Sequence, residues 1–280
     1  MSSLQKDGLI TSSALRAYRA FQWTGLSRAR WVHKLFLASY FAYKKYVEDG
    51  FAGLAKKHRD LFERGHILDV GANVGYTTQV FSEAVNRDFK VFAFEPEPEN
   101  FRALAERFAN NPVVETVQCA VGDRDGSAEL WINAHHPGDH RILTPRLRES
   151  LGRARSLPTR MVRIDSFAAE RGIEKSICFV KIDVQGHELP VCRGMERVIH
   201  ESRPAIALEY APQLLDEVGY SAADLMNSMT GLGYVPLVID RDGELHRTDS
   251  AALGESLDDG HYLDLLFVEE GARASAAFER

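Results

Sequence analysis

His66-Ile67-Leu68-Asp69-Val70-Gly71-Ala72-Asn73-Val74-Gly75-Tyr76-Thr77 is the stretch that decides the fold, read with Val91-Phe92-Ala93-Phe94-Glu95-Pro96 one βαβ step later. A short apolar run ends in an acid and a glycine-containing turn, then opens into a helical pattern, which is how an α/β sheet places a ligand at its strand tips. Gly71 leaves the strand where a side chain would block a ligand, and Gly75 lets the next helix pack close. Glu95 ends the second strand, where a carboxylate can accept two hydrogen bonds from a ribose diol. A nucleoside cofactor is implied.

Two cofactors fit that turn. A dinucleotide fingerprint wants Gly-x-Gly-x-x-Gly, so that backbone N–H groups approach a pyrophosphate. Here the spacing is Asp69-x-Gly71-x-Asn73-x-Gly75, and the Asn73 side chain in place of the middle glycine crowds a pyrophosphate. S-adenosylmethionine has none, and an acid before the turn suits its cationic amino-acid end. NAD on a Rossmann-like domain, and a purely structural βαβ turn, stay open as alternatives.

The chain has 280 residues, 45% of them apolar, enough for one large domain with an appendage. A net charge of -6 argues against a dedicated nucleic-acid surface, which needs clustered Lys and Arg. The charge is uneven: residues 1–60 carry eleven Lys or Arg against four Asp or Glu, leaving 23 against 36 for the remainder. Cys119, Cys178 and Cys192 form no C-x-x-C pair, so neither a disulfide framework nor a thiolate metal site is suggested. The start lacks a secretory pattern, and the apolar stretch from Leu35 to Tyr43 is too short to span a bilayer. A cytoplasmic enzyme without stable membrane insertion is the expectation.

Residues 1–60 read as a helical extension, on the spacing of Trp31, Leu35, Phe36, Tyr40, Phe41, Tyr43 and Val47. A cap on the main sheet, a homodimerisation arm, a substrate lid and a surface-seeking amphipathic helix are its alternative readings. From His66 onward strands and helices alternate, the pattern of a doubly wound sheet. The strands expected are 66–70, 90–94, 113–121, 128–133, 161–164, 178–183, 205–210, 234–239 and 261–268, with a hairpin around the turn Gly122-Asp123-Arg124-Asp125-Gly126. Helices are expected from 188 to 200 and over most of 212–232. His135 to Pro158 breaks the alternation and reads as a long substrate-facing loop, and 240–260 as a polar one.

In that substrate loop His135, His136, Asp139 and His140 invite a metal reading. Pro137 and Gly138 disfavour the helix that would pair His136 with His140, so no metal is assigned. His140 as a general base fits better, with Asp139 orienting it and Arg141 binding an anionic or hydroxyl-rich substrate. Asp183 tips an apolar strand beside Gly186, where its carboxylate enters the crevice; helix capping is the alternative. His187 and Glu188 follow at a helix start, and Glu209 lines the same edge as a substrate-binding candidate.

Taken together, Ile67 to Gly75, Ala93-Phe94-Glu95-Pro96-Glu97-Pro98-Glu99-Asn100, Ala120-Val121-Gly122-Asp123 and Val180-Lys181-Ile182-Asp183-Val184-Gln185-Gly186-His187-Glu188 resemble the FkbM family of S-adenosylmethionine-dependent methyltransferases. The resemblance covers roughly residues 65–270. It implies a Rossmann-like class I methyltransferase fold over residues 61–280, with a seven-stranded, mostly parallel sheet whose last strand is antiparallel. It further implies methyl transfer to a hydroxyl of a small-molecule or glycan acceptor, such as a sugar, polysaccharide or polyketide-type metabolite. Asp69, Gly71, Asn73 and Gly75 would hold the amino-acid end, Glu95 the ribose, and Cys119-Ala120-Val121 the adenine. Ala72, Tyr76, Thr77, Pro96 and Asp183 complete the expected cofactor contacts, and His140, Asp183 and His187 are the catalytic candidates. A cofactor-binding module without catalysis is the remaining alternative.

Overall fold

A computed structural model of the protein describes residues 50–133, 138–152, 154–249, 253 and 262–271. The helices expected before residue 50, and His135 and His136 of the metal reading, lie outside them.

Helix α1 (Phe51–Lys57) opens the described chain and packs into the smaller of the two cores that flank the sheet. Strand β1 (His66–Val70) leads to helix α2 (Tyr76–Ala84), and β2 (Val91–Phe94) to α3 (Pro98–Phe108). Helix α3 begins as its sequence demands. Pro98 occupies the first turn, and the Glu97 carboxylate accepts from the Asn100 N–H. Strand β3 (Val114–Val117) completes this half of the sheet. The other half holds β8 (Ile177–Ile182), β9 (Ala205–Tyr210), β10 (Tyr234–Ile239), β11 (Leu245–Arg247) and β12 (Leu263–Glu269).

The spatial order is β11-β10-β12-β9-β8-β1-β2-β3. Strands β3, β2, β1, β8 and β9 run parallel. Strand β12 is antiparallel to both β9 and β10, so β10 returns to the common direction. The expected seven-stranded sheet with one reversed strand is therefore present, as a class I methyltransferase fold requires. An eighth strand, β11, is added because the 240–260 segment is not wholly a loop. Asp240 Oδ1 accepts from the N–H groups of Asp242 and Glu244, folding a tight turn that brings Leu245–Arg247 back against β10.

Both faces of the sheet are covered, which is why its central strands are apolar at nearly every position. Leu68, Val70, Phe92, Phe94, Val180, Ile182, Ile206 and Leu208 face one core. It is shared with α5 (Ile164–Arg171), α6 (Glu188–Arg193), α7 (Glu196–Ser202) and α9 (Ala222–Gly231). Ile67, Val91, Phe179, Ala205 and Ala207 face the other, under α1 and α2. There the Phe62 ring lies against Phe179 in a tilted pair with ring centroids 4.4 Å apart. Each such side chain contributes about 1.5–3 kcal/mol by leaving water.

A second, four-stranded sheet in the order β4-β7-β5-β6 joins β4 (Ala120–Val121), β5 (Gly126–Trp131), β6 (Arg141–Ile142) and β7 (Ser156–Val162). Here the structure corrects three expectations. The apolar run 113–121 is two strands in different sheets, parted where the Cys119 N–H turns back to the Val117 carbonyl. The strands flanking the 122–126 turn form no hairpin, because β7 inserts between them and pairs with both. The 135–158 loop contains β6 and helix α4 (Pro145–Leu151), capped by Thr144, whose Oγ1 accepts from the Leu147 N–H.

The expected 188–200 helix is broken into α6 and α7 at Gly194, where a Cβ would stand 2.0 Å from the Gly122 carbonyl oxygen. Likewise the 212–232 helix is α8 (Pro212–Val218) and α9, separated by a turn that Ser221 closes as the N-cap of α9.

Candidate active site

The tips of β2, β1, β8 and β9 lie side by side at the carboxyl edge of the sheet, where an open α/β sheet forms its crevice, and each brings an acidic side chain named from the sequence. At the β1 tip, Asp69 is fully buried. Its carboxylate accepts from Thr77 Oγ1 at 2.9 and 3.0 Å and from Thr78 Oγ1 at 2.6 Å, tying the strand to the first turn of α2. Burial pushes its pKa up, opposed first by Lys181 and then by the two threonines. Asp69 thus organises the turn from within.

Gly71 and Ala72 donate their N–H groups to the Phe94 carbonyl. Gly71 sits at φ +79°, and a Cβ there would meet the Asp183 carbonyl oxygen at 1.8 Å. The glycine is required by the closeness of the β1 and β8 tips, a reason distinct from ligand access. Gly75, at φ +88°, would clash with Phe108 and Leu104 of α3 if it carried a Cβ. This agrees with the close helix packing read from the sequence. Tyr76, Thr77 and Ala72 are buried around this turn.

Glu95 tips β2. One carboxylate oxygen accepts from the Asn73 N–H and the other from the Glu97 N–H, both at 2.9 Å, holding together the two loops that line the crevice. Asn73 reaches that position through a left-handed backbone, φ +50°. Burial lifts the Glu95 pKa to about 7 against those two hydrogen bonds. Pro96 follows directly in the same loop. The expected adenine segment is buried: Cys119 and Val121 pack in the main core and Ala120 in a small cluster with Ala128 and Met161. What that segment offers a ligand is main chain.

Asp183, just past β8, presents its carboxylate to the crevice with 37% of the side chain exposed. Lys181 Nζ lies 3.2 Å from one oxygen, and Gln185 Nε2 donates to the other at 3.0 Å. The same Gln185 nitrogen donates to Glu209 Oε2 at 3.1 Å, so one amide bridges the carboxylates of β8 and β9. Gln185 does this from a left-handed backbone, φ +55°. Glu188, fully buried, accepts from the Val184 and Gly186 N–H groups and shapes the same turn. Burial raises the Glu209 pKa, reinforced by the charges of Asp183, Glu188 and Asp264.

The sequence reading passed over Lys181 and Gln185, although both lie within a motif it quoted. A lysine inside the apolar strand Cys178-Phe179-Val180-Lys181-Ile182 was the available signal, since buried lysines are rare unless paired.

The loop residues take up other positions. Asp139 accepts from Arg141 Nε at 2.5 Å and from Asn133 Nδ2 at 2.9 Å. Arg141 also pairs with Glu217 of α8 and lies over the Trp131 ring. Arg146 of α4 pairs with Asp216 beside it. These contacts brace the loop against α8, and Gly138 brings it to the Asn73 side chain, where a Cβ would lie 3.6 Å from Nδ2.

His140 Nδ1 accepts from the Asn133 N–H at 3.2 Å, which puts the proton of the neutral ring on Nε2 and makes that nitrogen a donor. Burial lowers its pKa. His187 is buried beside Tyr220, its pKa pushed down to about 4 by burial. Neither of its nitrogens has a hydrogen-bond partner among the described residues. Both imidazoles are therefore neutral at pH 7, and Asp183 and Glu209 are the carboxylates the crevice presents. Among the described residues no three His, Cys, Asp or Glu side chains group to hold a metal ion.

The family model described as the methyltransferase FkbM domain matches residues 69–236. Hexuronic acid methyltransferase AglP of Haloferax volcanii is 27% identical over 136 residues, covering 48% of this chain and 51% of that protein. Methyltransferase 1 of Beauveria bassiana is 23% identical over 145 residues, covering 46% of this chain and 58% of that protein. The matches thus span little more than half the length of these relatives. The crystal structure of the methyltransferase FkbM from Methylobacillus flagellatus aligns with a TM-score of 0.43 at 16% identity, covering 74% of this chain and 44% of that one. Since the family match starts at Asp69 in β1 and runs to Pro236 in β10, taking in every strand tip of the crevice, the chain belongs to the FkbM family of S-adenosylmethionine-dependent methyltransferases.

Proposed function

We propose that the chain transfers a methyl group from S-adenosylmethionine to a hydroxyl of a sugar, polysaccharide or polyketide-type metabolite. The carrying observation is the crevice itself, in which Asp183 and Glu209 converge through Gln185 beside the Glu95 loop. The residues fit that cofactor: an acidic crevice suits a ligand bearing a sulfonium and an ammonium, whereas a pyrophosphate would meet like charge. On this reading Glu95 holds the ribose, the 71–75 turn and Asp183 the amino-acid end, and the cofactor, when bound, supplies an electrophilic methyl group. Holding the acceptor hydroxyl in line with it is the protein's main contribution, on the order of several kcal/mol.

Glu209 is the residue best suited to take the hydroxyl proton. Burial raises its pKa, which makes its carboxylate a stronger base, and Gln185 fixes that carboxylate. Neutral His187 and the donor His140 suit packing and hydrogen bonding to the acceptor. The name of the Haloferax relative, a hexuronic acid methyltransferase, supports a sugar acceptor.

The test is transfer from methyl-labelled S-adenosylmethionine to neutral glycosides, uronic acids and polyketide alcohols, followed by mild alkaline hydrolysis of the products. Label that survives hydrolysis marks a hydroxyl ether and supports the proposal. Label lost on hydrolysis marks a carboxyl ester and refutes it. Bound S-adenosylhomocysteine without transfer to any acceptor would favour the binding-module reading.

A further inference from the structure

We propose that Lys181 is the shared counter-ion of the strand-tip carboxylates and, through them, a positioning residue that keeps cofactor affinity high at neutral pH. The inference rests on the reading that Glu95 and Asp183 hold the cofactor.

The placement begins with register. Asp69 is paired with Ala93 on one side and Lys181 on the other, and Lys181 with Ala207, so these four share one row across β2, β1, β8 and β9. The outer two are fully buried alanines, leaving the row's volume to an aspartate and a lysine. Lys181 is itself buried, and its Nζ lies 3.7 Å from Asp69 Oδ1, 3.2 Å from Asp183 Oδ2 and 3.3 Å from the Gly71 carbonyl oxygen. One ammonium therefore touches both strands and the turn between them.

Its field reaches further. Asp69, Glu95 and Glu209 each respond to Lys181 by a lowering of their pKa against the upward push of burial. The groups around it are Asp69 of β1, Glu95 beyond β2, Asp183 beyond β8 and Glu209 of β9. Glu188 of α6 and Asp264 of β12 act on these in turn.

Carboxylates crowded together out of water give up charge by binding protons unless a cation offsets them. With Lys181 removed, the cluster takes up protons in the neutral range, and a crevice that needs ionised Glu95 and Asp183 becomes competent only at higher pH. Were Lys181 only a filler of volume that braces the two strands, its replacement would cost affinity equally at every pH.

The experiment measures S-adenosylhomocysteine affinity by calorimetry from pH 5.5 to 9 for wild type, Lys181→Arg and Lys181→Met. Wild-type affinity should fall as pH drops through about 7, where Glu95 titrates. In Lys181→Met that midpoint should move up by about one pH unit, so that binding is about fivefold weaker at pH 7 and converges with wild type by pH 9. Lys181→Arg, which keeps the charge, should stay within about threefold of wild type.

Should Lys181→Met not fold, Asp69→Asn/Lys181→Met removes the buried pair together, and its midpoint must also lie above wild type. A loss in Lys181→Met that is equal at every pH, or no loss, overturns the counter-ion role. Glu95→Gln and Asp183→Asn separate the two ideas. If they weaken binding while the Lys181→Met midpoint stays put, only the counter-ion role fails. If they bind normally, the cofactor reading fails and this inference with it.

Discussion

Replacing Gly71 by alanine tests the geometry on which the crevice depends. At φ +79° an alanine adopts a left-handed backbone at a cost of about 1–2 kcal/mol. Its Cβ would also lie 1.8 Å from the Asp183 carbonyl oxygen, which is backbone and cannot rotate away. Relief requires β1 and β8 to part where the Asp183 N–H donates to the Val70 carbonyl at 3.0 Å, an overpacking cost of about 1–3 kcal/mol. The expected destabilisation is therefore about 2–5 kcal/mol by urea unfolding. Because the same shift moves Asp183, S-adenosylhomocysteine affinity should drop at least tenfold. Gly172→Ala is the matched control. It has a similar φ of +65° with nothing within 4 Å of the added Cβ, so it should cost about 1–2 kcal/mol and leave affinity alone. Equal costs for the two substitutions would refute the close contact of the strand tips.

Glu209→Gln should lower kcat by about 10²–10⁴ with S-adenosylhomocysteine affinity within a few-fold of wild type, whereas His187→Phe should lower kcat less than tenfold; steady-state kinetics with calorimetry decides between them. Glu188 carries a pKa raised from 4.5 to about 7, so the folded state binds that proton more tightly than the unfolded one. Its carboxyl therefore disfavours the fold as pH rises through that interval, and wild type should lose about 1–3 kcal/mol relative to Glu188→Gln between pH 5 and pH 8 in unfolding titrations. Arg141→Leu should raise the acceptor KM at least fivefold while sparing cofactor affinity, because it removes the brace between the 138–141 loop and Glu217.

The β1-turn-α2 unit was legible because its pattern is local. An apolar run, an acid and glycines at close-packing positions follow one another in the chain, and Asp69, Gly71, Gly75 and Glu95 stand at the tips that pattern required. What escaped the sequence was settled by partners distant along it. The run 113–121 is uniformly strand-like, and only the insertion of β7 shows that its two ends belong to different sheets. Helix α4 carried a local signal in Thr144-Pro145, masked by its setting among arginines, prolines and glycines. His140 is a base candidate by residue type, and the Asn133 backbone N–H that its Nδ1 accepts from is a contact no spacing reveals. Lys181 and Gln185 acquire meaning from β1 and β9, neither of which adjoins them in sequence.

The eighth strand has a consequence for how copies of this chain can meet. Beyond β10 the open rim of the sheet would offer a row of unpaired N–H and C=O groups to any passing strand. Strand β11 spans just Leu245–Arg247, with His246 and Arg247 in solvent, and so covers that rim with a segment too short and too charged to template further pairing. On that flank, three residues stand where continuous sheet extension between copies would have to begin.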